Sequence, residues 1–325
     1  MKKILTWIKP TWNGMHIWNY FWAFKPFLDL VKWKKAYIFI ADYHSLTSVH
    51  DKEIMERNKL RMLKEYFSLL PSDSEIIVYE QSKIKHINDI TWILSSVTPY
   101  SLMLRTHSFK DSQNKNSDIN MATFNYPILM AADILTYDTD IVPVWKDQIQ
   151  HLEFARDIAE IFNKTYKIEF FKLPVAHVEK ELATIPGTDW QKMSKSYDNF
   201  IGIFDDEKTL KKKVMSIVTW SETLEEPKNP DTCNVFALIK LFASEDKQVE
   251  IRTKYRAGNY GYGHAKLELL DLILEYFKEA RNKYIRYGDN YCYENEILEK
   301  LKKWNSIAKR MATKKYNEMM KIIWL

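Results

Sequence analysis

Ala36-Tyr37-Ile38-Phe39-Ile40-Ala41-Asp42 is the stretch whose reading decides the fold. It is a continuous apolar run that ends in a carboxylate. A strand with one wet face alternates apolar and polar residues. A strand buried on both faces does not, and such strands belong to parallel sheets covered by helices. The flanking segments keep the same rhythm. Towards the N-terminus, His16 to Val31 is long enough for a helix, with Phe24, Phe27, Leu28 and Val31 on one face. Before it, Ile4 to Ile8 is a short apolar run that stops at Lys9-Pro10-Thr11, a strand and then a turn. Towards the C-terminus, Asp51 to Leu70 reads as a helix, Glu75 to Tyr79 as a strand and Asp89 to Ser96 as a helix. Alternation of this kind predicts an α/β sheet with right-handed crossovers.

Beyond it, Lys110 to Asn120 is polar and reads as a loop. Tyr126 to Tyr137 reads as a buried helix, Asp140 to Val144 as a strand with Pro143 near its end, and Asp147 to Asn163 as an amphipathic helix. Ala183 to Asn199 is a polar loop. After Asp205 strand signals stop, and Cys233 to Phe242, Gly263 to Tyr287 and Glu294 to Met320 have helical spacing. The expectation is a sheet-based front half and an all-helical back half, divided near residue 204.

Composition sets bounds on function. The 325 residues are 46% hydrophobic and 28% charged, ordinary for a globular chain with a sizeable core. No apolar run approaches the roughly 20 residues that span a bilayer, and Met1 to Trp7 has no long apolar segment of a signal peptide. No membrane association is expected. Two cysteines, Cys233 and Cys292, are too few for a disulfide framework or a four-cysteine metal site, so a reducing cytoplasm is the expected location. The eight histidines show no metal spacing, and no structural metal is expected. Net charge is +5, concentrated at Lys208, Lys211, Lys212 and Lys213, and again at Lys300, Lys302, Lys303, Lys309, Arg310, Lys314 and Lys315. Such runs are ordinary solvated helix faces, and they also attract a phosphate backbone. Two counts are abnormal: glycine is 7 of 325, against an average of about 7%, and tryptophan is 11.

Three motifs carry chemistry. Lys192-Met193-Ser194-Lys195-Ser196 places two ammonium groups and two hydroxyls on a loop, a set suited to a leaving pyrophosphate. Lys9-Pro10-Thr11 and His16-Ile17-Trp18-Asn19 place polar groups at a helix start after the first strand, where phosphate binds readily. Tyr126 to Leu135 contains one carboxylate, Asp133, among apolar residues, followed by Asp140 to Val144 and Asp147 to Glu153. Indole is a hydrogen-bond donor only, so a buried acceptor reads it specifically.

On these residues the chain resembles the class I aminoacyl-tRNA synthetases, and within them the bacterial tryptophanyl branch, over nearly its whole length. The likeness is strongest over residues 4 to 50, 92 to 153 and 184 to 200. The resemblance implies a Rossmann-like parallel-sheet catalytic domain over residues 1–204, with a helical dimer insertion at about 100–180. An all-helical anticodon-binding domain follows over residues 205–325, its last helix packing back on the catalytic domain. It implies activation of L-tryptophan by ATP with Mg²⁺, transfer to tRNA(Trp), and a homodimer. Carried over residue by residue, Lys192, Lys195 and Lys110 are the catalytic cations. ATP is held by Lys9, Pro10, Thr11, His16, Trp18, Asn19, Trp145, Lys146, Asp147, Ile185, Lys192, Met193, Ser194, Lys195 and Ser196. Tryptophan is held by Asp133, which accepts the indole N–H, with Met130, Tyr126, Ile134, Val142, Val144, Gln148, Tyr43 and His44 around it. The alternatives are a tyrosine-specific relative, a shorter nucleotidyltransferase of the same motif, and a catalytically inactive binding protein descended from a synthetase.

The chain departs from the family in one consistent way. Trp7, Trp12, Trp18, Trp22, Trp145 and Trp190 stand where the family has glycine, and Trp33, Trp220, Trp304 and Trp324 fall where glycine suits a turn or helix end. Only Trp92 stands where tryptophan is expected. An indole at residue 18 would fill space that the nucleotide needs. A gene that uses UGA as a glycine codon, translated by the standard code, would give this pattern.

Overall fold

The structure, a computed structural model, describes residues 2–10, 14–32, 34–71, 74–106, 120–144, 148–178, 185–194, 197–289 and 291–324. Its frame is one sheet of five parallel strands in the order β3-β2-β1-β4-β5, with β1 Lys3–Ile8, β2 Lys35–Ile40, β3 Ile76–Glu80, β4 Ile141–Val144 and β5 Val175–Val178. The chain leaves β1 to build one side through β2 and β3, then returns to build the other through β4 and β5. Strand order therefore reverses between β1 and β4, where open α/β sheets bind their ligands.

Period-two alternation splits β1 and β2 between two cores. Ile4, Ile8, Ala36, Ile38 and Ile40 point to one face. Leu5, Tyr37, Phe39 and Ala41 point to the other. The first core runs on into the helical half, where Phe236, Ile239, Leu269, Ile273 and Phe277 belong to the same buried cluster. The second holds the helix Met121–Leu135 and ends on Ala308, Ala312 and Met319 of the last helix, Tyr291–Ile323. Strands thus end at Val178, yet the core is continuous across residue 204.

Several elements differ from the sequence reading. β5 is a four-residue strand with no fully buried residue, so it lacks the apolar run that marks β2. The helices Glu207–Met215 and Glu245–Ala257 carry few apolar residues, with only Leu210 and Val214 buried in one and Ile251 and Tyr255 in the other. The stretch read as one helix from Gly263 to Tyr287 is two, Tyr262–Tyr276 and Lys278–Asp289, joined at buried Phe277. The first helix begins at Ile17 and carries a π-helical turn, Tyr20–Phe24, before Lys25–Val31.

The last helix is fastened to the sheet. Asn305 Nδ2 donates to Glu80 Oε2 at 2.8 Å and its Oδ1 accepts from the Glu80 N–H at 2.9 Å. Lys315, counted with the basic run, is instead 5% exposed and paired with Asp138. Its neighbours Lys302, Lys303, Lys309, Arg310 and Lys314 remain exposed. Among the described residues no helix is long and apolar enough to cross a membrane.

Candidate active site

Two groups of residues gather past strand ends, one on Asp133 with partners that follow β2 and β3, the other between the first helix and the lysine loop. The first centres on Asp133. Its helix, Met121–Leu135, is capped by Asn120, whose side chain accepts from the Thr123 N–H. Apolar residues on almost every side bury it, and Asp133 itself is 1% exposed. A lone buried carboxylate costs several kcal/mol unless paired. Here His44 Nε2 lies 3.0 Å and Gln81 Nε2 2.7 Å from the same oxygen, Oδ2. Burial pushes the Asp133 carboxyl above its usual range, and the His44 and Gln81 hydrogen bonds pull it back. His44 Nδ1 is buried with no hydrogen-bond partner among the described residues. An Nε2–H that donates to the carboxylate fits that arrangement.

Tyr126, about two turns before Asp133, sets its ring edge-on to His44 at 4.8 Å, with its hydroxyl 4.0 Å from Met130 Sδ. Burial first, and Asp133 second, push the Tyr126 phenol up to about 12. Met130, Ile134, Val142 and Val144 are buried in the same cluster, and Tyr43 packs against it. A cavity of about 350 Å³ opens beside them, bounded by Trp7, Lys9, Tyr126, Val144 and Gln148 among others. Lys9 Nζ sits 5.0 Å over the Tyr126 ring, and burial lowers its pKa. Asp133 is not among the residues lining that cavity.

The second group joins the start of the first helix to the lysine loop. The Ile17 N–H donates to the Ile201 carbonyl at 3.0 Å, the Ile203 N–H to the Met15 carbonyl at 3.0 Å, and His16 is bridged to Gly202. These bonds bring residues far apart in sequence side by side. Inside the loop, Pro186 bridges Lys192, and the Met193 N–H donates to the Ile185 carbonyl at 3.0 Å. Asn199 pins the turn: its Oδ1 accepts from the Ser194 N–H at 2.7 Å and its Nδ2 donates to the Lys192 carbonyl at 3.1 Å. Gly187 must be glycine here, since a Cβ would lie 2.4 Å from the Asn199 side chain. Lys192 extends over two indoles, its Nζ 4.7 Å from the Trp18 ring and 4.9 Å from Trp22. His16 is 4% exposed, Pro10 is buried at the end of β1, and Asn19 lies on the first helical turn. Thr11, Lys110, Trp145, Lys146, Asp147, Lys195 and Ser196 lie outside the described residues, as do Trp12 and Trp33.

Sequence reasoning did not single out Gln81 or Asn199. Gln81 stands one residue past β3, the sheet end where ligands bind, and that position was the available signal. Asn199 had none, because its role is to close a loop whose shape only the fold defines.

The model of the family "tRNA synthetases class I (W and Y)" matches residues 2–278. The chain belongs to that family. It is 48% identical to a tryptophan–tRNA ligase of Fusobacterium nucleatum over 309 residues, 95% of this chain and 94% of that one. A tryptophan–tRNA ligase of Campylobacter jejuni is 45% identical over 96% of this chain and 94% of its own length. The crystal structure of the tryptophanyl-tRNA synthetase from Campylobacter jejuni complexed with ADP and tryptophan superposes with a TM-score of 0.93 at 43% identity, covering 99% of this chain and 100% of that one. This synthetase is an aminoacyl-tRNA ligase built as an α/β parallel sheet with a helical C-terminal part. Among the described residues no group of three or more His, Cys, Asp or Glu side chains stands where it could hold a metal ion.

Proposed function

We infer that the chain is a tryptophan–tRNA ligase. The observation that carries the reading is the buried Asp133 carboxylate, held at one oxygen by His44 and Gln81 among apolar walls. A pocket of that kind offers an acceptor where the indole offers a donor. It disfavours a side chain without an N–H at that point by leaving one carboxylate acceptor without its hydrogen bond. Tyr126, Met130, Ile134, Val142 and Val144 are the walls in this reading, and Tyr43 and Gln148 take the ammonium and carboxylate.

ATP enters between Lys9–Asn19 and the loop at Lys192–Ser196. The tryptophan carboxylate attacks the α-phosphorus, a phosphoanhydride bond breaks, and pyrophosphate leaves carrying its negative charge. Lys192 and Lys195, with Lys110, stabilise that charge, while His16 and Asn19 hold nucleotide oxygens. No protein nucleophile takes part; positioning and charge stabilisation do the catalysis. The nucleotide comes as its Mg²⁺ complex, the ion carried on the phosphates as is usual for so strongly hydrated a cation. The acyl group then passes from the adenylate to the terminal ribose hydroxyl of tRNA(Trp), releasing AMP. Residues 205–325, with the exposed lysines of Glu207–Met215 and of the last helix, are assigned to the anticodon end.

The working unit is proposed to be a homodimer in the cytoplasm. Trp92, Tyr100 and Met121, 78%, 69% and 68% exposed, are large apolar side chains in or near the proposed dimer insertion that a second copy would cover. Sedimentation at twice 38.8 kDa is the check.

The activity test is tryptophan-dependent exchange of labelled pyrophosphate into ATP. Exchange with tryptophan and not with tyrosine is the expected result. Exchange with tyrosine would move the specificity, and none from a folded, ATP-binding chain would leave a binding protein.

A further inference from the structure

We propose that the protein made in its own cell carries glycine at residues 7, 12, 18, 22, 33, 145, 190, 220, 304 and 324, and that the indoles placed at residues 18 and 22 by standard-code translation close a nucleotide cleft that glycine leaves open. The inference rests on the reading of this chain as an ATP-using synthetase.

Backbone geometry supplies one observation. Trp190 has φ +71°, in the left-handed region where a bulky side chain is strained and glycine is at ease. The other described residues other than glycine with positive φ are Asp138, Asp198, Asn259 and Lys167. Three of those are the Asp and Asn types that tolerate it, and Lys167 ends a helix. Trp190 has neither excuse, and it sits two residues ahead of Lys192 in the loop that must close.

Occupied space supplies another. Trp18 is 6% exposed and packs on Trp22 with ring centroids 4.5 Å apart. The pair lies where the helix start faces the lysine loop, and Lys192 Nζ rests over both rings. An ammonium placed to meet a polyphosphate is thus engaged by aromatic faces. Trp7, on β1, packs against the cluster that contains Met130, Val142 and Val144 and lines the adjoining cavity beside Lys9. Indoles at residues 18 and 22 therefore take up space beside Lys192, while Trp7 lines a cavity that stays open.

Composition ties these positions together. Exchanging the ten tryptophans raises glycine from 7 to 17 of 325 residues and leaves one tryptophan, Trp92. Trp92 stands inside the helix His86–Val97, where glycine is costly; Trp304 stands inside Tyr291–Ile323 and not at the expected turn or helix end, so at residue 304 the codon pattern alone argues for glycine. UGA is one base from UGG and one from GGA, so a single reassigned codon accounts for every case. Decay of an abandoned enzyme has no reason to choose tryptophan ten times.

The gene gives a first check: UGA at all ten positions and UGG at residue 92 is expected, and UGG at residues 18, 22 and 190 overturns the proposal. Peptide mass spectrometry of the protein from its native host decides it whatever the recombinant chains do. Glycine masses at residues 18 and 190 support it, tryptophan masses sink it. Equilibrium dialysis with labelled ATP then compares the full chain made with tryptophan and with glycine. Saturable ATP binding by the glycine chain alone is expected; equal binding by both overturns the plugged cleft. A glycine chain that binds ATP without tryptophan-dependent exchange would sustain this inference and refute the proposed activity.

Discussion

The amino-acid pocket and the nucleotide cleft are both built past strand ends, and they treat space in opposite ways. Around Asp133 the structure brings polar groups in: a histidine and a glutamine converge on a single oxygen inside an apolar shell. Around Lys192 chemistry asks for room, since a polyphosphate must approach backbone N–H groups and ammonium ions closely. Here the room is taken by Trp18 and Trp22. A site made of side chains survives the reading of ten positions as tryptophan. A site made of their absence does not. In the proposed reading specificity is written in residues that are present, and catalysis depends equally on positions where glycine would leave room.

That contrast can be broken or sharpened in the chain bearing glycine at the ten positions. The largest effect is expected from Lys192→Ala. Loss of one preplaced cation at a developing charge costs about 10²–10³ in kcat. Pyrophosphate exchange should fall by that factor with little change in the KM for tryptophan. An equal loss in tryptophan affinity would mean the two regions are not separable.

A smaller effect, about 1.5–3 kcal/mol or roughly 10- to 150-fold, is expected from Asp133→Ala, the value of a hydrogen bond to a charged acceptor. It should appear in the KM for tryptophan and spare that for ATP. pH gives the same residue a second readout. Burial raises the Asp133 carboxyl, so it loses its charge at a higher pH than a solvated aspartate as pH falls. Only the ionised carboxylate accepts the indole N–H with full strength. The KM for tryptophan should therefore rise on the acid side while the KM for ATP stays level. Removing the Gln81 donor, as in Gln81→Leu, takes away an interaction that lowers this pKa, so the rise should begin at higher pH. An unmoved profile would show that Gln81 does not act through Asp133.

The smallest effect is on stability. In the chain bearing tryptophan at all ten positions, returning glycine to the left-handed position by Trp190→Gly removes about 1–2 kcal/mol of backbone strain. The tilted contact of Trp190 with Trp220, ring centroids 5.1 Å apart and both partly exposed, is lost with it. A net gain of about 1 kcal/mol in urea unfolding is expected, and a net loss would show that the ring contact outweighs the strain.

The sequence alone determined the sheet class, because a strand buried on both faces has a period that Ala36 to Ala41 cannot disguise. It also singled out Asp133, His16 and Lys192 as candidates, since few residue types supply a buried acceptor, a polar group at a helix start or a fixed cation. It could not reveal β5, whose four residues carry no buried face, or the helix Glu207–Met215, whose inward face is two residues wide. Tertiary structure decided what meets what. It put Gln81 and His44 on one oxygen of Asp133 from two other strand ends, closed the lysine loop with Asn199, and turned Lys315 inward to Asp138 out of an otherwise exposed basic helix. It also showed that Trp190 occupies a backbone conformation made for glycine. Local spacing records which face of an element is dry. Only the packed fold records which side chains share the dry space, and how little of it is left.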